Sequence, residues 1–184
     1  DVCSSDLKNW QHWSTRFRKQ NIGAFRLFDR DIPEIRAVVD AYLPEGLQQP
    51  HLVVSEYERW QTETVSDWLG SMCQALGKRM ELPPAHIHAK RRRTGGSERG
   101  YQREQFREQQ WIVPEGNLRF SVNLDDFLDT GLFADHRQTR KLVMQESAGK
   151  KVLNLFAYTG SFTVAAHAGQ AASVTTLDAS EGYL

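Results

Sequence analysis

The apolar positions along this chain change period several times, and each change marks an element. Leu7, Trp10, Trp13 and Phe17 recur at helical spacing among basic residues, which predicts an amphipathic helix from Leu7 to Lys19. Tryptophans at that spacing more often pack into a core than stack on RNA. Phe25 to Phe28 alternates as a short strand, and Asp29 to Pro33 is a turn. Ile35 to Tyr42 and His51 to Tyr57 are further strands, separated by a loop from Pro44 to Pro50. Val65, Trp68, Leu69, Met72, Cys73 and Leu76 then stripe one face of a helix over Thr64 to Lys78, which Gly77 and the Leu82-Pro83-Pro84 loop are expected to end. His86 to Arg91 is strand again, Trp111 to Asn117 is strand and turn, and Arg119 to Leu124 returns. The order predicts a small α+β module over residues 25–125, four strands around one helix, with the strand near Leu118 to Leu124 as the fourth. The opening heptapeptide, DVCSSDL, looks as much like a translated sequencing adapter as like a polar tail, and no element is predicted over it.

From Lys150 onward the pattern is of another kind. Val152 to Phe156 is a short apolar run, Tyr158-Thr159-Gly160-Ser161 is turn chemistry, and Phe162 to His167 is a helix of small residues ended by Gly169. Ser173 to Leu177 is a second β-rich run, closed by Asp178. This is half of a mononucleotide-binding βαβ unit, whose ligand sits beyond the carboxyl ends of the strands near the helix N-terminus. A dinucleotide would need G-x-G-x-x-G, and only Gly160 is present, which disfavours an NAD- or FAD-dependent oxidoreductase. Asp178 follows Gly160 by 18 residues, close to the spacing at which an acidic side chain accepts bonds from ribose hydroxyls. A nucleoside with free ribose hydroxyls and an amino-acid tail, S-adenosylmethionine, suits both features.

NLFAYTGSFTVAAHAG, followed by the strand ending in Leu177-Asp178 and preceded by DTGLFADHRQTR, resembles the first motif of the class I S-adenosylmethionine-dependent methyltransferases. More narrowly, residues from about Phe25 to Leu184 are similar to the bacterial enzymes that methylate large-subunit ribosomal RNA, and most of all to the guanine-N7 half of the bifunctional 23S rRNA enzyme. The resemblance implies a tail and helix over 1–24, an RNA-binding module over 25–125, and the start of a Rossmann-like α/β domain over 126–184. It also implies a cofactor site made by Asp135, Arg137, Asn154, Phe156, Tyr158, Thr159, Gly160, Ser161 and Asp178. Within it Arg137 would lie near the methionine carboxylate or pair with a neighbouring acid. Asp135 would lie near the amine or cap the helix from His136 to Glu146. Arg137 and Arg140 are cations in the first turns of that helix, where the dipole favours anions, and this is a functional hint. Further strands and an Asp-Pro-Pro-type motif that holds the target base belong to the resembling enzymes. The chain is therefore expected to be a fragment, inactive alone, with catalytic residues unassigned.

Charge changes the picture locally and not globally. The chain carries 23 basic and 23 acidic residues, so no net field attracts a polyanion. Between Lys90 and Arg107, however, Lys90, Arg91, Arg92, Arg93, Arg99, Arg103 and Arg107 face only Glu98 and Glu104, a local charge of about +5 by count. Tyr101 and Phe106 interleave with the arginines around TGGSERG. Guanidinium forks with aromatic faces suit single-stranded or loop RNA, and Lys90, Arg91, Arg92, Arg93, Arg99, Tyr101 and Arg103 are the candidate contacts. The resembling enzymes carry a like basic stretch at this point, which implies 23S ribosomal RNA as partner.

His86 and His88 share a strand face but have no third ligand nearby in sequence, so no metal is expected. Cys3 and Cys73 fit a reducing compartment. No apolar run approaches the roughly 18 residues of a membrane helix, and cytoplasmic is the default. Methylation of a guanine N7 needs no strong base, whereas a cytosine C5 target would need a nucleophilic cysteine. A cytosine-C5 enzyme of the same superfamily and a non-catalytic RNA-binding module remain as alternatives.

Overall fold

A four-stranded sheet, a hairpin and a parallel strand pair carry the described part of the chain. The computed structural model describes residues 2–29, 37–58, 67–93, 105, 107–180 and 182. Helix α1 (Val2–Lys19) precedes strands β1 (Ala24–Asp29), β2 (Ala37–Tyr42) and β3 (His51–Glu58), then helix α2 (Trp68–Met80) and strand β4 (Ile87–Arg93). Next come the hairpin β5 (Trp111–Glu115) and β6 (Leu118–Val122), helix α3 (Arg137–Glu146), strand β7 (Lys151–Leu155), helix α4 (Ser161–Ala168) and strand β8 (Ser173–Leu177). Val2 to Leu7 is thus helical, where the sequence predicted no element.

The large sheet has the order β1-β2-β3-β4, antiparallel at the first two pairings and parallel at the third, with α2 making the crossover. The four-strand module therefore forms, with a different fourth strand from the expected one. Leu118–Val122 pairs with β5 and not with this sheet, and β1 takes the edge instead. A bulge between Arg26 and Phe28 lets neighbouring Leu27 and Phe28 both reach the same core, which strict alternation would forbid. That core joins Val39, Leu52 and Val54 to Leu69, Met72 and Leu76 of α2, with Trp10, Trp13 and Phe17 of α1 packed against it. The tryptophans are core residues, as their spacing predicted.

Helix α2 does not end at Gly77. Asp67 caps its start by accepting from Gly70 N at 3.2 Å, and Glu81, in the left-handed region, ends it with its amide donating to Gly77 O. Residues 59–66, with Val65 and the expected start at Thr64, lie outside the described residues, as does most of the Asp29–Pro33 turn.

The second face of the sheet is covered in part. Ala24, Tyr42 and Val53 pack on Val113, Phe120, Val122 and Leu124 from the hairpin and its exit, and the same cluster runs on to Leu132 and to Ala165 of α4. The apolar core thus crosses residue 125 without a break. Beneath it lies a buried polar seam. Asp125 Oδ1 lies 2.8 Å from His88 Nδ1, and His88 Nε2 lies 2.9 Å from His51 Nδ1. Because the carboxylate accepts, His88 carries its proton on Nδ1, so His51 Nδ1–H donates onward to His88 Nε2. His86, at the end of a 3₁₀ turn and not in the strand, stacks on His51 with ring centroids 4.1 Å apart. Among the described residues no group of three His, Cys, Asp or Glu side chains could hold a metal ion, and no helix is long and apolar enough to cross a membrane.

Candidate functional site

Strands β7 and β8 run parallel in register from Lys151 opposite Ser173 to Leu155 opposite Leu177, so both carboxyl ends open on the same side. Helix α4 covers one face, and its buried Ala165 and Ala166 let it lie close. Gly169 at its end has no room for a side chain, since a Cβ there would stand 2.0 Å from Met144 O of α3. Under α4, Asn154 Nδ2 donates to Thr163 Oγ1 at 2.9 Å, and Thr163 Oγ1 bonds Thr176 Oγ1 at 2.7 Å. The opposite face of the strand pair exposes Leu153, Leu155 and Leu177.

The loop from β7 to α4 is bent sharply. Phe156, Tyr158 and Gly160 have φ of 54°, 53° and 73°. Only the glycine adopts that region freely, and each of the others stores about 1–3 kcal/mol of strain. Asp178, at the end of β8, holds the bend. Its Oδ2 accepts from Tyr158 N at 2.7 Å, its Oδ1 accepts from Ser180 N at 2.9 Å, and Ala157 N donates to Leu177 O at 3.1 Å. The Ser180 and Tyr158 amides keep the Asp178 carboxyl below its usual range, so it stays ionised. Two bonds leave further lone pairs on this carboxylate. Phe156 beside it is 90% exposed, an open aromatic face. Thr159 Oγ1 donates to Gly131 O at 2.6 Å and ties the loop to the segment before α3. Ser161 begins α4, where the first amides have no intrahelical acceptor.

The residue before α3 departs from expectation. Asp135 does not cap the helix; α3 has His136 at its N-cap with no side-chain bond, and Asp135 is exposed, 4.0 Å from His136 Nε2. Arg137 points to the N-terminal module, where Nη1 donates to Ala24 O at 3.3 Å and the guanidinium lies 4.8 Å from the Phe17 ring centroid. Arg140 is fully buried, with Nε and Nη2 bonded to the Glu115 carboxylate at 2.8 and 2.6 Å and Nη1 to Phe133 O at 2.9 Å. This second misplaced cation is a brace between α3 and the hairpin.

The basic segment is partly described. Lys90 is buried and its Nζ donates to Phe127 O, which corrects its reading as an RNA contact: the strand alternation turns it inward. Arg91 is exposed and pairs with Glu56 and Asp67. Arg92 bonds Asp129 Oδ1 at 2.7 Å and Leu128 O at 3.2 Å, and lies over Tyr57. The Arg93 side chain, Arg99, Tyr101, Arg103 and Phe106 lie outside the described residues.

Between the uncovered part of the large sheet and the segment from Asp129 to Arg137 lies a cleft of about 610 Å³. Arg26, Asp40 and Tyr57 form its floor, Arg92 and Phe133 stand at its walls, and Tyr158 brings the bent loop to its edge. Arg26 Nε donates to Asp40 Oδ1 at 2.9 Å across β1 and β2. The sequence did not single out Arg26, Asp40 or Tyr57. Their signal is that polar residues alternate with core residues on adjoining strands, which marks a wet face but not what stands opposite it.

The sequence pattern of the S-adenosylmethionine-dependent methyltransferases matches residues 85–184, more than half of the chain. The chain belongs to this family. Ribosomal RNA large subunit methyltransferase K/L of Shewanella sp. (strain ANA-3) is 41% identical over 97% of this chain and 24% of its own length. Ribosomal RNA large subunit methyltransferase K of Neisseria meningitidis serogroup B is 38% identical over 96% of this chain and 49% of its own length. The chain thus spans between about a quarter and about half of the length of these relatives. Among solved structures, SMU.776, described as a methyltransferase complexed with SAH, and a SAM-dependent methyltransferase from Streptococcus mutans each superpose with a TM-score of 0.65. Both share 23% identity over 98% of this chain and 46% of theirs, which shows the fold, an α+β module followed by the opening of a Rossmann-like domain. In this methyltransferase chain the bent loop and Asp178 occupy the carboxyl ends of β7 and β8, where such folds take a nucleoside.

Proposed function

We propose that this chain supplies the RNA-facing module and the opening of the cofactor site of an enzyme that methylates large-subunit ribosomal RNA in the cytoplasm, at a guanine N7. One observation carries the cofactor assignment: Asp178 and the Gly160 bend stand together, joined by the bond from Tyr158 N to Asp178 Oδ2. Asp178 would accept the ribose hydroxyls with its remaining lone pairs, the exposed Phe156 ring would lie against the adenine, and the first amides of α4 at Ser161 would meet the amino-acid carboxylate. Thr159 and Asn154 act indirectly, by tying the loop to Gly131 and the strand to α4. When bound, S-adenosylmethionine supplies an electrophilic methyl group. Residues around it need only align a ring nitrogen that already carries a lone pair, so no general base is required of this chain.

The cytosine-C5 alternative asks for a thiolate. Cys73 does not offer one, because burial first and the Asp67 charge second push its thiol up to about 11. Cys3 lies outside the described side chains.

Calorimetric titration with S-adenosylhomocysteine tests the reading. The chain should bind it, and Asp178→Asn should weaken binding about tenfold or more, since bonds to a charged acceptor are replaced by weaker ones. Equal binding by the variant would remove Asp178 from the site, and no binding by either would leave an RNA-binding module without a cofactor.

A further inference from the structure

The cleft beside Tyr158 has two buried donors that nothing answers. Nε of Arg92 and Nε of Arg137 are inaccessible to water and have no hydrogen-bond partner, although both guanidinium groups are otherwise engaged. A dry N–H without an acceptor is costly, and two around one cavity point to a guest that brings acceptors. The guest is not a free phosphate. Arg26, Arg92 and Arg137 line the cleft against Asp29, Asp40, Asp129 and Asp135, so a polyanion would meet four carboxylates with three cations. A flat, neutral heterocycle with donors and acceptors on its edge matches this mixed lining. The volume, about 610 Å³, is in the range of small-ligand sites. At the rim, Phe133 is 47% exposed and its ring lies 5.5 Å from that of Tyr158, an open aromatic pair beside the bent loop.

We infer that this cleft receives one purine base, unstacked from single-stranded RNA, with Arg92 and Arg137 donating to its ring or carbonyl acceptors and Phe133 stacking on it. Extruding a base and holding it between aromatic and guanidinium planes is how single strands are recognised for chemistry on the base. This inference rests on the methyl-transfer reading above and gives it a seat for the substrate, on the side of Tyr158 away from Asp178's neighbours in β8.

The test is a fluorescence titration of the chain with a single-stranded RNA hexamer carrying one 2-aminopurine, in the presence of saturating S-adenosylhomocysteine. The base should be quenched on binding. Phe133→Ser, an exposed change, should weaken binding about tenfold, the worth of one stacked base. Arg92→Lys, which keeps the charge and loses the Nε donor, should weaken it several-fold. Both variants should keep the wild-type affinity for S-adenosylhomocysteine and the wild-type melting temperature. The inference is overturned if a hexamer abasic at that position competes equally well, or if Phe133→Ser binds like the wild type. Loss of S-adenosylhomocysteine binding with base quenching retained would sink the cofactor reading and leave the cleft standing.

Discussion

At the scale of single residues, buried ions decide more than exposed ones. The Arg140–Glu115 pair is bidentate, and the arginine side chain is 1% exposed. Removing one partner strands a charge in the core. Arg140→Leu should therefore destabilise the protein by about 3–5 kcal/mol in urea unfolding, while adding Glu115→Leu to it should recover most of the loss. The sequence exposed the anomaly, a cation at a helix start, but not its cause. Glu115 is 25 residues upstream on another element, and nothing local announces it. Lys90 was misjudged for the same reason, since its acceptor at Phe127 comes from a distant turn. Asp178 and Gly160 were legible because a βαβ unit fixes their separation through its own geometry.

At the scale of elements, close approach sets the tolerance. Helices α3 and α4 meet where Gly169 faces Met144 O, and a backbone atom cannot swing aside as a side chain can. Gly169→Ala should separate the helices and cost about 1–3 kcal/mol, visible as a lowered melting temperature with circular dichroism otherwise retained. Hydrophobic period revealed α1, β3, α4 and β8 almost to the residue, because each has one face committed to a core. Strand partnership was not legible. Leu118–Val122 alternates equally well for a sheet or a hairpin, and only the facing residues Val113 and Phe120 settle the choice. The end of α2 was missed because Glu81 enters the left-handed region, a place where glycine is expected.

At the scale of the molecule, the polar seam links the large sheet to the turn before α3, and it titrates. Burial, and then the charges of His86 and His88, pushes His51 down to about 4. Burial also lowers His88, against the pull of Asp125 and with Lys90 and Arg107 adding to the lowering. In the unfolded chain these rings take protons near 6.5. The unfolded state binds more protons between those values, so stability is complete above about pH 6.5 and falls as the pH drops through 4. Thermal melts from pH 7.5 to 4.5 should fall progressively, and His51→Phe should flatten the slope; a wild-type melting temperature constant over that range would refute the seam's role.

The leucines on the bare side of β7 and β8 carry a practical consequence. Leu153, Leu155 and Leu177 form a greasy ribbon that water wets poorly. Concentrated samples of this chain will therefore turn turbid sooner in ammonium sulfate than in sodium chloride of equal ionic strength, because a strongly excluded salt rewards any contact that hides such a surface.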